Sequence, residues 1–271
     1  MNPLETLEFN LRKRSPRTKQ AYLWIARLYL EFSPNDYSRT AMLRFMEHLE
    51  LRKFSPNSRR LAHYALSRLC RSLEVKFPLD GDDLAPPPDE SELNTPTLSN
   101  EQVGALIGYA KGWPGAYYTS LLFLSTLYGI RSVEMTDVEI GEGAIRVFMA
   151  KKRKREGRPP TRVHILPDNG ALFLSSYRPA PEWKVIEAFH EICLDAGVKT
   201  EGGAWHQIKR SLNTQLRLAG VEPEIVRRFL RWSADRQDMS SVYFHIKPEE
   251  IDRMAFAKHP FLSSWGLSPP M

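Results

Sequence analysis

The chain has 271 residues, 42% of them hydrophobic, with a net charge of +6 and a pI near 9.3. That length suits one large or two modest packed domains, and the basic balance suits a polyanionic partner. A disulfide framework is excluded, since only Cys70 and Cys193 occur and both fall in apolar helical patterns; a membrane span is excluded, since no apolar run approaches the roughly 20 residues required.

Met1 to Asn10 holds no apolar signal core, so the expectation is a soluble, cytoplasmic protein with reduced thiols. Three helical patterns follow. Ser15-Pro16 opens the first, with serine suited to the N-cap and proline to the first helical position. Tyr22, Ile25, Ala26, Tyr29 and Leu30 then recur at helical spacing. Ser38 opens the second, with Met42, Phe45, Met46 and Leu49 inward. Ser55-Pro56 opens the third, with Leu61, Tyr64, Ala65, Leu69 and Cys70 inward. Residues 1–80 carry 15 Lys/Arg against 8 Asp/Glu, and Arg17, Lys19, Arg52, Lys53, Arg59 and Arg60 occupy polar faces. Residues 1–77 therefore read as a small helical domain whose cations suit nucleic-acid phosphates.

Residues 78–97 read as a linker. Pro78, Gly81 and Pro86 to Pro88 keep the chain extended, and Asp82, Asp83, Asp89, Glu90 and Glu92 make an acidic break. Residues 98–271 read as a second, mainly helical domain. Ser99 or Asn100 caps a helix, and Leu121 to Leu127 is a strongly apolar one. Ile145 to Met149 and Thr161 to Leu166 alternate as strands, with a basic hairpin loop between them. Pro181 to Ala196, Ala204 to Ala219, Glu222 to Arg231 and Pro248 to Ala257 read as helices. The fold class is mainly α with a small antiparallel sheet (α+β).

The sequence offers no clustered acids for a magnesium nuclease, no Gly-rich phosphate loop with lysine and no Cys/His metal spacing, so no metal or cofactor is expected. What it offers instead is an ordered set of segments. These are Thr126-Leu127-Tyr128-Gly129-Ile130-Arg131-Ser132-Val133-Glu134, the Lys/Arg-rich stretch from Lys151 to Arg158, and His206-Gln207-Ile208-Lys209-Arg210. Leu230-Arg231-Trp232-Ser233 and Ser240-Ser241-Val242-Tyr243-Phe244-His245 complete it. In this order, over most of the chain, they resemble the tyrosine recombinase (phage integrase) family.

The resemblance implies a helical core-binding domain followed by a catalytic domain that cuts and rejoins duplex DNA through a 3′-phosphotyrosine. Tyr243 would be the nucleophile. Arg131 would hold a phosphate oxygen through its planar fork, and Glu134 either supports Arg131 or is a plain helix-start acid. Lys151, Lys152 or Lys154 would protonate the 5′ oxygen, with the other loop cations, Arg155 among them, on backbone phosphate. His206 and Trp232 would stabilise the charged transition state. The family's second arginine, three residues after the histidine, is replaced by Lys209, with Arg210 next; on a helix they lie about 60° and 40° to either side of His206. Trp232 and Tyr243 are eleven positions apart, two more than the family's usual spacing. The resemblance further implies a homotetramer on DNA, joined by exchange of the apolar tail holding Phe256, Phe261, Leu262 and Trp265. A tail folded on its own domain is the alternative. Two rival readings are a type IB topoisomerase-like enzyme and a DNA-binding protein that has lost catalysis.

Overall fold

The computed structural model describes residues 2–86, 97–149, 160–200, 202–232 and 246–270. The chain forms two compact units, Met1–Asn94 and Thr95–Met271.

The first unit holds α1 (Pro3–Asn10), α2 (Pro16–Phe32), α3 (Arg39–Leu51) and α4 (Pro56–Ser72). Each begins on a side-chain oxygen. Asn2, Ser15, Ser38 and Ser55 accept from the backbone N–H of Leu4, Thr18, Ala41 and Ser58. Such caps satisfy donors that the first turn leaves open and stabilise a helix by about 1 kcal/mol each. Ile25, Ala26, Tyr29, Met42, Phe45, Met46, Leu49, Ala65, Leu69 and Cys70 meet in the core as the spacing indicates.

Two expectations are corrected here. Tyr64 is 46% exposed, and its neighbour His63 is buried in its place. The imidazole can lie inside because one ring nitrogen bonds the Asp80 carbonyl at 3.1 Å. The first part of the supposed linker also packs on this unit. Leu79 is buried in the core, Asp83 accepts from Arg39 at 2.6 Å, and the Ala85 carbonyl accepts from Arg60 at 2.7 Å. The acidic break thus supplies acceptors to the basic face, which composition alone does not reveal. Residues 87–96 lie outside the described part.

The second unit is built around α6 (Tyr117–Tyr128), buried on every side from Thr119 onward. Against it pack α5 (Asn100–Lys111), α7 (Glu182–Asp195) and α8 (Trp205–Leu218), followed by α9 (Pro223–Phe229) and α10 (Pro248–Phe256). Ser99 and Gln102 close a capping box on α5. An antiparallel sheet runs in the order β1 (Val138–Gly141), β2 (Ala144–Phe148), β3 (Thr161–Ile165). Its register pairs Ile145 with His164 and Val147 with Arg162. Directly opposed residues share a face, so Arg162 and His164 lie on the same side as the buried Ile145 and Val147. That side receives α10, and the charged contact it needs comes from Asp252.

Of the two expectations for the tail, the single chain shows the one folded on its own domain. Phe261, Leu262 and Trp265 are buried in the core of their own unit. The Trp265 indole N–H donates to Thr126 Oγ1 at 2.9 Å, and its ring meets Phe173 and Phe123 at 4.7 and 5.3 Å. The tail is accommodated because α6 presents a hydroxyl and aromatic surface at that place. Cys70 and Cys193 are free and buried, and burial pushes their thiols up to about 11 and about 12. Among the described residues no helix is long and apolar enough to cross a membrane.

Candidate active site

The site starts from the end of α6. Gly129 takes the left-handed conformation, φ 57, that terminates the helix. A Cβ there would stand 2.7 Å from Leu230 Cδ2, so only glycine allows the two turns to approach. This approach exposes the Gly129 carbonyl to two cations. Lys209 Nζ donates to it at 2.7 Å and Arg231 Nη2 at 2.9 Å.

Arg131 follows two residues later. Its Nη1 donates to Glu134 Oε1 at 2.7 Å, and its backbone N–H donates to Glu134 Oε2 at 3.2 Å. Glu134 therefore supports Arg131. Arg231 Nη2 reaches the same carboxylate at 3.4 Å. Burial alone would raise the Glu134 carboxyl. The charges of Arg231, Lys209 and Arg131 outweigh that and hold it below its ordinary value. One carboxylate thus faces three cations, a surplus of positive charge that favours an anionic ligand. The rest of the Arg131 fork makes no hydrogen bond to the described residues.

Arg231 is buried as well. It takes the left-handed conformation at φ 60. Its Nη1 also donates to the Tyr128 carbonyl at 3.0 Å and to His164 Nε2 at 2.8 Å. Burial lowers its guanidinium to about 10, partly offset by Glu134, so it stays charged at neutral pH. Since arginine only donates, His164 Nε2 must accept. The imidazole proton then lies on Nδ1 and is donated to Asp252 Oδ1 at 3.0 Å. Burial pulls His164 down to about 4 against the pull of Asp252, which agrees with a neutral ring. Asp252 also accepts from Arg162 Nη2 at 2.8 Å and from the Ile165 N–H at 2.9 Å.

Beside this network lies a cleft of about 300 Å³, lined by Met149, Arg162, Arg227, Arg231, Trp232 and Ile246 among others. The Trp232 ring lies 6.0 Å from Lys209 Nζ. Its indole N–H takes no acceptor among the described residues.

No family model and no curated protein matches the chain. Solved structures do. A lambda integrase tetramer bound to a Holliday junction aligns over 91% of this chain and 77% of that one, at 14% identity and a TM-score of 0.65. A lambda integrase dimer bound to a COC′ core site aligns over 90% and 76%, at 16% identity and 0.61. XerH recombinase bound to palindromic difH substrate, in a post-cleavage complex, aligns over 94% and 80%, at 14% identity and 0.57.

The chain has the tyrosine-recombinase fold.

Within the tyrosine-recombinase fold, the described catalytic candidates sort as follows. Lys209 is bonded to the Gly129 carbonyl, Arg131 follows Gly129 by two residues, and Trp232 lines the cleft. Lys209 is buried, with its ammonium on the Gly129 carbonyl and, at 2.8 Å, the Leu230 carbonyl. His206 and Arg210 are half-buried on α8, one turn apart. Lys151, Lys152, Lys154, Arg155 and Tyr243 lie outside the described residues. In the first unit, Lys19 pairs with Glu8 and Arg59 with Glu50, both at 2.7 Å. Arg60 is held by a carbonyl, while Arg17, Arg52 and Lys53 have no acidic partner among the described residues.

Sequence reasoning missed Arg231, Arg162, His164 and Asp252. The signal for Arg231 was a bulky cation directly before Trp232. The signal for the β3 pair was polar residues on the alternation that Ile145 and Val147 mark as inward. Also missed was a basic cleft of about 460 Å³ in the first unit, lined by Lys13, Arg14, Arg68 and Arg71 at the ends of α1 and α4. None of the four has an ion pair among the described residues.

Proposed function

We propose that this protein is a site-specific DNA strand transferase of the recombinase or integrase kind. Tyr243 Oη attacks the scissile phosphorus, its proton passing to His206, and the bond to the 5′ oxygen breaks. That oxygen takes a proton from Lys151 or Lys152, leaving a 3′-phosphotyrosine. Rejoining runs the same steps backward with a different 5′ hydroxyl. Arg131 holds a non-bridging oxygen by the side of its fork that Glu134 leaves open, and Trp232 offers its indole N–H to the same phosphate. His206 and Arg210 add charge and a proton relay from α8. No nucleotide is consumed, because bond energy is kept in the phosphotyrosine, and in this reading the cationic side chains stabilise the charge that a metal would otherwise stabilise.

The observation that carries this reading is the cleft lined by Arg231, whose guanidinium reaches the Glu134 carboxylate that holds Arg131. Met149 stands two residues before Lys151 in sequence, and Trp232 and Ile246 border the stretch containing Tyr243; all three line that cleft. Sequence neighbours of the proposed nucleophile and acid thus line one charged recess. The basic first unit, with Arg17, Arg52 and Lys53 and the Lys13–Arg14–Arg68–Arg71 cleft, is suited to the backbone of the same duplex. Solved proteins of this fold are described as bound to DNA, one of them as a tetramer on a Holliday junction, and we extend DNA binding to this chain.

The test is incubation with nicked duplexes taken from DNA flanking the gene, followed by denaturing electrophoresis. A covalent protein–DNA band that disappears in Tyr243→Phe supports the reading. One observation favours a second reading, a DNA-binding relative without catalysis. Lys209, at the place of the family's second arginine, has its ammonium engaged by two backbone carbonyls, and lysine lacks the two-pronged geometry for phosphate. Tight DNA binding with no covalent band from the unaltered chain would establish that second reading.

A further inference from the structure

Resting on the strand-transfer reading above, we propose that Arg231 is a positioning residue. Through His164 and Asp252 it ties the two borders of the Tyr243-bearing stretch to one anchor, and through Glu134 it aligns Arg131 to that same anchor.

The stretch 233–245 leaves the described chain just after Arg231 and Trp232 and rejoins it at Ile246, two residues before α10. Arg231 on the leaving side and Asp252 on the rejoining side are bridged by one ring: Arg231 Nη1 to His164 Nε2 at 2.8 Å, then His164 Nδ1 to Asp252 Oδ1 at 3.0 Å. From the other edge of the guanidinium, Nη2 meets Glu134 at 3.4 Å, and Glu134 holds Arg131 at 2.7 Å. A single buried chain of polar groups therefore runs from α10 to the arginine that would grip the phosphate.

Arg231 is an expensive choice for its turn. A non-glycine residue in the left-handed region is strained, and a buried guanidinium loses its hydration. Glycine would make the turn without either cost, so the side chain's contribution lies in what it bonds. The neutral His164 suits the role because it accepts from Arg231 and donates to Asp252 at the same time. It fixes direction along the chain without adding charge.

The experiment measures single-turnover covalent adduct formation on saturating nicked DNA, with DNA affinity measured separately by anisotropy. Arg231→Gly and His164→Phe should each slow adduct formation about tenfold to a hundredfold, the range expected when a reacting group is displaced by about 1 Å. For His164→Phe, DNA affinity should change by no more than about twofold, since that ring is buried and lines no part of the cleft. The double variant should be no slower than the slower single one, because both cut the same chain. Phenylalanine suits position 164, which lies among the Tyr128 and Phe229 rings at 5.2 and 5.5 Å, and Asp252 keeps its other two donors.

Should His164→Phe not melt cooperatively, His164→Asn replaces it. Its amide keeps a donor for Asp252 and gives up the acceptor for Arg231, so the same slowing is expected. Unchanged adduct rates in the His164 variant, or effects that multiply in the double variant, overturn the proposal while the strand-transfer reading stands. No Tyr243-dependent adduct from the unaltered chain overturns the reading of the reaction, and the positioning role falls with it.

Discussion

His164 and His259 are both sealed inside the second unit and both neutral there. Burial holds the first down to about 4 and the second to about 3, with His259 bonded to the Leu127 carbonyl at 3.1 Å. In the unfolded chain a histidine titrates near 6.5, so between that value and the folded values the unfolded state binds more protons. Stability therefore rises with pH across this interval and is lost as pH falls from about 6.5 through 4. The combined effect is on the order of a few kcal/mol. Thermal melting followed from pH 7 to pH 4 should show a falling midpoint, and His259→Phe should flatten part of the fall. A midpoint that stays level down to pH 4 would contradict the neutral, buried assignment of these rings.

At the scale of elements, the end of α6 and the end of α9 are held together by a carbonyl and two cations, and that contact depends on Gly129. Gly129→Ala should destabilise the protein by about 1–3 kcal/mol, since it adds a left-handed alanine and forces Leu230 aside. Urea unfolding with tryptophan fluorescence would measure it; a loss of less than about 0.5 kcal/mol, the range of an ordinary surface change, would mean the turns can separate freely. The α1–α4 cleft gives a different kind of prediction. Lys13, Arg14, Arg68 and Arg71 have no anionic partner among the described residues, whereas Lys19 and Arg59 must first leave Glu8 and Glu50. Neutralising the four should lower the slope of log affinity against log salt by about 3.6, at close to 0.9 for each of four phosphate contacts. An unaltered slope would exclude the cleft from the DNA path.

The helices were legible because their signals are local. Serine-proline starts and apolar faces at helical spacing lie within a few residues of the backbone they govern. The short α1 and β1 were not, since a pattern of eight or four residues with few apolar positions carries little periodicity. Arg131 and its support by Glu134 could be read because one turn separates them. The Arg231–His164–Asp252 chain could not, because its members lie 67 and 88 positions apart in sequence and meet only through tertiary packing. Tyr64 was misassigned by one helical position, a rotation of about 100°, because tyrosine looks more apolar than histidine until the Asp80 carbonyl is brought to the ring.

For the molecule as a whole, the tail has a consequence that concerns assembly. With Trp265 seated against Thr126 and Phe173, the last apolar segment already occupies a site on its own chain. A second copy wanting that site competes with a tethered ligand, whose effective concentration is typically millimolar. At micromolar protein the tethered tail wins, and sedimentation of the free protein should give a monomer. Dimers at micromolar concentration would mean that contact between copies uses a different surface or displaces the tail. Domain swapping becomes competitive only where copies are crowded to millimolar density. The docked tail thus works as a concentration threshold on self-association, set by nothing more than the length of chain between α10 and Trp265.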